Sequence, residues 1–243
     1  MIAELGQHCA ILVPAFLALV GLTACGVPFL SSVGAIPPSF MLQARQAAQN
    51  VRDACLRVEV EWNTPVLADK QTLELWYSRP DKIRLEIVES GQVGFRDIIF
   101  AENGDQAWMY RHAARQVDVG PAGSVKPAVV YEVVQSLADL FFGQSFEEVT
   151  AISRDYASNR WAFKVTGRAG PGVQQSDRNR GAPDCTVWLE DGSLLPFKVR
   201  CQEEGAMDYT ATVQEAQYNT GLTDDLFDIG FLPTQSYAIH RIN

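Results

Sequence analysis

The side chains that could do chemistry in this sequence are few, and their spacing narrows the chemistry open to them. The 243 residues include three histidines and five cysteines. His112 and His240 stand in neither a catalytic nor a zinc-binding motif. Gly167 and Gly172 follow a strand pattern but precede a polar loop, whereas a phosphate-binding loop precedes a helix. The sequence therefore predicts no catalytic residue, no metal site and no cofactor, which argues against an enzyme.

Two of the cysteines fall in a predicted hairpin over 184–203. Matching the apolar faces of its strands requires residue pairs with an even sum, and a turn centred on Ser193 then places Cys185 opposite Cys201. The two faces consist of Cys185, Val187 and Leu189, and of Phe197, Val199 and Cys201. In an oxidising compartment this pair is a candidate disulfide. A different register would leave two buried thiols.

A third cysteine, Cys25, follows a short apolar run. Residues 10–22 read AILVPAFLALVGL, which is too short to span a membrane and is typical of a signal peptide. The next residues, Leu22-Thr23-Ala24-Cys25, resemble the bacterial lipobox, whose cysteine receives diacylglycerol and becomes the first residue of the mature chain. The resemblance implies a signal peptide over 1–24 and lipidation of Cys25. The first residues, MIAELGQH, lack Lys and Arg, and the alternative is a buried N-terminal helix with an incidental cysteine.

The composition limits the partners of the chain. A net charge of -9 and a pI near 4.8 repel phosphate backbones, so we predict no nucleic-acid partner. Attraction to anionic lipid is equally unsupported, and membrane attachment should come from a hydrophobic anchor. An apolar content of 47% allows one sizeable core.

The mature sequence is mostly strand-like. Residues 25–38 read as a tether, and Ser39 caps a helix that runs to about Arg52 or Cys55. Alternation of apolar and polar residues then predicts an antiparallel meander within one domain over 39–243. The predicted strands cover 57–62, 72–77, 83–87, 93–100, 107–111, 146–153, 160–166, the hairpin at 184–203, and 207–217. Between them, 127–142 shows helical spacing, and 169–183 reads as an exposed loop.

Taken in order, the motifs resemble the LolA/LolB-like lipoprotein-carrier superfamily. Residues 75–85 (LWYSRPDKIRL), 103–110 (NGDQAWMY), 187–199 (VWLEDGSLLPFKV) and 222–227 (LTDDLF) are similar to four of its hairpin and closing segments. Each motif alone is ordinary turn-and-strand sequence. Their order covers most of residues 40–232.

The resemblance implies a mainly β fold with helices, an incomplete antiparallel β-barrel whose helical lid covers an apolar cavity. The candidate cavity residues are Val58, Val60, Trp62, Leu73, Leu75, Tyr77, Ile83, Leu85, Ile87, Trp161, Phe163 and Val165, and the lid residues are Val134, Leu137, Leu140 and Phe141. Any one of these side chains could equally be ordinary core. Arg79 and Arg84 flank a turn and could meet a lipid headgroup, or be solvated strand residues.

The function implied is that of an extracytoplasmic, membrane-anchored lipoprotein that binds acyl chains of lipids or lipoproteins, for carriage or localisation in the cell envelope. Its partners would be those acyl chains, the membrane through the N-terminal lipid, and an envelope protein. The alternative on the same fold is an envelope sensor or regulatory interaction module. A purely structural cell-surface domain would have neither cavity nor partner.

Overall fold

The computed structural model describes residues 39–63, 68–91, 98–125, 146–169, 184–203, 207–228 and 237–242. These residues belong to one unit, Ile36–Asn243. The predicted signal peptide, Cys25, the tether and the lid helix with Val134, Leu137, Leu140 and Phe141 lie outside the described residues, as does nearly all of the predicted loop at 169–183.

The described elements are one α-helix, twelve strands and a short 3-10 helix at Asp224–Leu226. Helix α1 spans Phe40–Gln49. The strands are β1 Asp53–Asn63, β2 Ala68–Ser78, β3 Lys82–Ser90, β4 Ile98–Glu102, β5 Gln106–Arg111, β6 Gln116–Pro121, β7 Phe146–Ala157, β8 Arg160–Ala169, β9 Asp184–Glu190, β10 Pro196–Glu203, β11 Met207–Tyr218 and β12 Ala238–Arg241.

All twelve strands form one open sheet in the order β12-β6-β5-β4-β3-β2-β1-β11-β10-β9-β8-β7. Its neighbours are antiparallel except β12 and β6, which run parallel. The predicted mainly β, antiparallel and unclosed architecture is confirmed, although only one α-helix lies in the described part of the chain. Two meanders, β1 to β6 and β7 to β11, meet where β1 pairs with β11 at the centre.

Strict alternation explains how the central strands are placed. In β1, Val58 and Val60 are fully buried, whereas Glu59 is half-buried and Glu61 is exposed. Successive side chains of a strand point to opposite faces, so at the centre of the sheet one face is apolar and the other carries the charges, whereas at β4 to β6 the second face also holds a small buried cluster of Ala101, Trp108, Tyr110 and Val117. We call the first the apolar face and the second the polar face.

Helix α1 ends earlier than the predicted Arg52 or Cys55, because β1 already begins at Asp53. Its buried residues Phe40, Ala44 and Ala48 recur at every fourth position. Arg79 closes this end: its Nη2 donates to the Ala48 carbonyl at 3.2 Å and its Nε to the Val51 carbonyl at 2.8 Å. Arg79 is therefore not a solvated strand residue, because its guanidinium holds a helix terminus, and its contact with a lipid headgroup stays a prediction.

Arg84 is likewise a structural residue. Its guanidinium lies over the Trp76 ring, 5.4 Å from the centroid, pairs with Glu86, and donates to the Leu226 carbonyl at 3.0 Å. Phe227, the next residue, is fully buried. Arg84 thus links the segment after β11 to the polar face, so the alternative of a solvated side chain is wrong, while its contact with a lipid headgroup stays a prediction.

The hairpin of β9 and β10 brings the two cysteines together. Cys201 lies opposite Cys185 and Val199 opposite Val187, and a disulfide joins the cysteine pair. The predicted pairing of Leu189 with Phe197 is wrong, because an irregularity between Pro196 and Lys198 places Pro196 there instead. Such an irregularity adds a residue to one strand and shifts the pairs beyond it.

Strands β6 and β12 were not predicted. The four residues of β12 are all exposed, so no apolar alternation marks them. β12 is held beside β6 by backbone pairing, and the Tyr237 hydroxyl before it lies 2.7 Å from His112 Nδ1. This histidine therefore has a partner in the C-terminal segment.

Candidate functional site: the apolar face and its rim

The apolar face is continuous across the centre of the sheet. The strand pairings align Val165, Val187, Val199, Ala211 and Val60 in one row across β8, β9, β10, β11 and β1. Each of these side chains is between 0 and 2% exposed. The face therefore joins the two meanders without a polar interruption.

A second row runs beside the first towards the far end of β1. It comprises Cys185, Cys201, Tyr209 and Trp62. The ring centroids of Tyr209 and Trp62 are 5.6 Å apart. Trp62 Nε1 donates to Gln71 Oε1 at 3.4 Å, so this end of the face finishes in a polar contact. The disulfide and this hydrogen bond close that end of the apolar face.

Most of the predicted cavity residues are buried in one cluster that also includes Phe40, Ala44 and Val51 from α1 and the residues after it. Val58 pairs with Leu73, Leu73 with Ile87, and Tyr77 with Ile83, so the β1 to β3 candidates do share a face. The buried members are Val58, Val60, Trp62, Leu73, Leu75, Leu85, Ile87 and Val165, and Phe163 packs at their half-buried margin. Their burial is equally that of ordinary core.

The end of the face beside α1 is less covered than its centre. Several apolar side chains at this end are half-buried. The end comprises the starts of β1, β3, β8 and β10 and the ends of β2, β9 and β11. We call this set the rim: Tyr77, Ile83, Phe163, Leu195 and Tyr218. The Phe163 ring lies 4.6 Å from that of Phe40, the first residue of α1.

Strands β10 and β11 also separate at the rim. Their pairing stops at Lys198 and Thr212, whereas β11 continues to Tyr218 paired with β1 alone. Ala216, opposite the fully buried Leu56 in that stretch, is exposed. The apolar face is thus reachable from solvent at a place where two strands part.

Burial changes the chemistry of one rim residue. Burial raises the pKa of Tyr218 to about 12, with Glu190 adding to the effect and Arg160 opposing it. The phenol therefore stays neutral over the physiological range. The sequence did not point to Tyr218 or Leu195. Tyr218 is out of phase with the buried Tyr209, Ala211 and Val213 of β11, because the irregularity opposite Arg57 and Val58 reverses the faces there. Leu195 immediately precedes β10, outside the alternation of the strand.

Trp161 departs from the prediction. It shares its face with Phe163 and Val165, but it is 61% exposed, while Phe163 is half-buried and Val165 is fully buried. Trp161 lies next to the turn between β7 and β8, beyond the reach of the buried cluster. The structure therefore places it outside the core, on the solvent side of the rim.

The polar face offers a different environment. A depression there is lined by residues of both signs, including Glu61, Lys70, Arg200 and Asp208. Lys70 Nζ lies 2.9 Å from Glu59, and Arg200 Nε lies 3.6 Å from Asp208. Paired charges suit water better than an apolar ligand, so this face is not the candidate site.

In the described ranges, no three His, Cys, Asp or Glu side chains come together in a way that could hold a metal ion. Among the described helices, none has the length and apolar character needed to span a bilayer.

Comparison with known proteins gives a likeness of fold. No protein-family model and no curated protein matches the chain. Its structure is similar to that of an uncharacterized conserved protein from Thermus thermophilus, with a TM-score of 0.54 and 10% identity, over 84% of this chain and 97% of that one. At this identity the likeness shows the fold alone.

Two further likenesses are weaker. LprF from Mycobacterium bovis has a TM-score of 0.49 and 13% identity over 76% of this chain and 93% of its own. The lipoprotein LppX from Mycobacterium tuberculosis has a TM-score of 0.47 and 15% identity over 77% and 99%. The open, mainly antiparallel sheet predicted from the sequence is confirmed, and the lipid anchor on Cys25 stays a prediction.

Proposed function

We propose that this chain binds acyl chains of lipids or lipoproteins on the apolar face of its sheet, outside the cytoplasm, while a lipid on Cys25 holds it to a membrane. The observation that carries the proposal is the rim. The apolar side chains of this face become half-exposed at the rim, and β10 and β11 part there, so the buried interior lies next to an opening in the sheet.

The physical reason is apolar burial. Each CH₂ group transferred from water to an apolar surface contributes about 0.8 kcal/mol, so an acyl chain gains more as it passes the rim towards the centre. The central residues, such as Val165 and Val199, are already fully covered. An entering chain must therefore displace the side chains that cover them, and α1, which packs against Phe163 through Phe40, is the described element that stands at the rim.

This arrangement favours binding and carriage over catalysis. The residues at the rim are aliphatic or aromatic, and the neutral Tyr218 provides a hydroxyl without a charge. A cluster of this kind can hold a hydrocarbon but supplies no paired acid and base. The extracytoplasmic location rests on the lipobox-like residues 22–25 and agrees with the disulfide between Cys185 and Cys201.

The test uses the predicted mature chain, residues 25–243, with Cys25→Ser, so that neither the lipid anchor nor the apolar run at 10–22 contributes to binding. We expect native mass spectrometry to show co-purified lipid, and a fluorescent fatty acid to bind saturably with one site per chain. The lipid should be released by organic solvent and identified by mass. A protein that purifies without lipid and leaves the fatty-acid emission unchanged would contradict the proposal.

A transfer assay separates carriage from sensing. Donor and acceptor vesicles that differ in a labelled lipid are mixed with the same protein. A carrier accelerates movement of the label, whereas a regulatory module captures an envelope protein and leaves the label where it was. The second result would retain lipid binding and overturn carriage.

A further inference from the structure

Two aromatic side chains at the end of the β7–β8 hairpin lie unusually open to solvent. Tyr156 is 58% exposed and Trp161 is 61% exposed. They are direct cross-strand partners, and their rings meet edge to face at 5.4 Å. Among the described residues, no other two large exposed hydrophobic side chains are paired in this way. We call Tyr156 and Trp161 the aromatic tip.

The tip is presented on a rigid support. The turn consists of Ser158 and Asn159 with φ of 49° and 61°, the left-handed values of the tight turn that suits twisted hairpins. β8 then continues into the sheet beside β9. Exposed aromatic groups held by a tight turn keep little freedom to fold back onto the protein.

Two carboxylates near the tip are paired with arginines. Arg154 Nη2 lies 3.1 Å from Asp191, and Arg160 Nη1 lies 3.1 Å from Glu190. Asp155 accepts a hydrogen bond from Trp188 Nε1 at 2.9 Å, which lowers the pKa of its carboxyl and keeps it charged, but as the neighbour of Tyr156 it points to the opposite face of β7. In a chain of net charge -9, the two ion pairs reduce the repulsion between this end and an anionic headgroup.

The chain enters the domain at the same end as the tip. Phe163, two positions after Trp161 on the same face, packs on Phe40, where α1 begins. In the sequence, only a short stretch separates Phe40 from Cys25. Leu42, in the same first turn of α1, is 58% exposed. The rim end is therefore the part of the domain that lies nearest, along the chain, to the proposed anchor.

We propose that the aromatic tip inserts into the headgroup region of a lipid bilayer and sets the rim against the membrane. Tyr and Trp favour this zone because each has an apolar ring and a polar group that stays hydrated. From there, Trp161, Phe163 and Val165 form a path of increasing burial from the bilayer to the apolar face. The use of that path rests on the proposed lipid binding, whereas the insertion itself does not.

The test uses vesicles of phosphatidylcholine and the predicted mature chain, residues 25–243 with Cys25→Ser, which is the reference for every variant. It lacks the apolar run at 10–22, which would bind vesicles by itself. Trp62, Trp76, Trp108 and Trp188 are only 6 to 8% exposed, so Trp161 should dominate any change in emission. We expect its emission to shift to the blue with vesicles and to be quenched by brominated acyl chains. Tyr156→Ser with Trp161→Ser should weaken co-sedimentation roughly tenfold, from lost ring burial.

The matched control is Ile239→Ser. Ile239 is 52% exposed but lies on β12, at the opposite edge of the sheet from β7. This variant should co-sediment like the reference chain. Equal co-sedimentation of the tip variant and the reference would overturn the inference. A blue shift that follows protein concentration without vesicles would overturn it too, because the tip would then join two copies of the chain.

Fatty-acid titration without vesicles separates this inference from the proposed function. If the reference chain binds no fatty acid and the tip variant still loses co-sedimentation, the proposed function fails while the insertion of the tip stands. If fatty acid binds and the tip variant sediments like the reference, the proposed function stands and the insertion fails.

Discussion

Cys185 and Cys201 lie directly opposite each other on β9 and β10, with Cα atoms 4.2 Å apart and both side chains fully buried. Their bond closes a loop with a sequence separation of 16. Replacing both by alanine should lower the free energy of unfolding by about 3 kcal/mol, the loop-closure value for a ring of this size. Urea unfolding at equilibrium measures it.

Reductant provides the control for that prediction. It should lower the stability of the reference chain towards that of the double variant and leave the double variant unchanged. Equal urea midpoints for oxidised reference and variant would show that the bond contributes nothing to stability.

Phe163 tests the rim through binding. Phe163→Gln removes half-buried aromatic surface, and we expect fluorescent fatty acid to bind roughly tenfold more weakly. Arg168→Gln is the matched control, because Arg168 is exposed on the same strand and its side chain points to the polar face. The thermal stability of the two variants is compared by circular dichroism, so that a loss of folding is not taken for a loss of binding. Unchanged affinity in a folded Phe163→Gln protein would remove the rim from the site.

Arg79 should matter for stability and not for lipid binding. Arg79→Met removes the two hydrogen bonds to the carbonyls of Ala48 and Val51, and should cost about 1–2 kcal/mol of unfolding free energy. The control is Arg45→Met, since Arg45 is exposed on α1. A drop in fatty-acid affinity without loss of stability would instead return Arg79 to the role of a headgroup contact.

Asp69 makes stability depend on pH. Burial alone would raise the pKa of its carboxyl, but hydrogen bonds from the side chains of Ser90 and Gln71 and from the Lys70 and Gly91 amides hold it below the ordinary 3.8. A depressed folded pKa contributes stability above the unfolded value and loses it as the pH falls through the folded value.

Asp69→Asn should therefore be less stable than the reference at neutral pH, and the difference should shrink as the pH falls below 3.8. Urea unfolding at a series of pH values measures this. Asp225→Asn, at an exposed carboxylate, is measured in the same series as the control for an Asp-to-Asn change. A constant difference at every pH would show that the carboxylate charge plays no part.

The central strands could be predicted because their alternation is strict. Val58, Val60 and Trp62 mark β1, and the predicted 57–62 lies within the observed Asp53–Asn63. The pairing of Cys185 with Cys201 followed from matching two apolar faces. The strand follows from the two-residue period alone, whereas the cysteine pairing needs in addition a turn centred on Ser193.

The remaining features depend on contacts that a sequence pattern does not contain. In the sequence, Arg79 and Arg84 resemble ordinary surface arginines, because their partners in α1 and at Leu226 are distant along the chain. Trp161 has the correct face, but its exposure depends on how far the buried cluster extends along β8. β12 has no apolar alternation, and its position follows from pairing with β6.

The pairing of β1 with β11 has a consequence for the order of assembly. Each meander pairs strands that are neighbours in sequence, but the seam between them waits until residues near Tyr218 are available, where Asp53 accepts hydrogen bonds from Thr220 and Gly221. Contacts between distant residues form slowly. If the chain crosses a translocation channel from its N-terminus, the sheet would thus stay incompletely folded until almost the whole chain had emerged, and an incompletely folded chain can pass the channel.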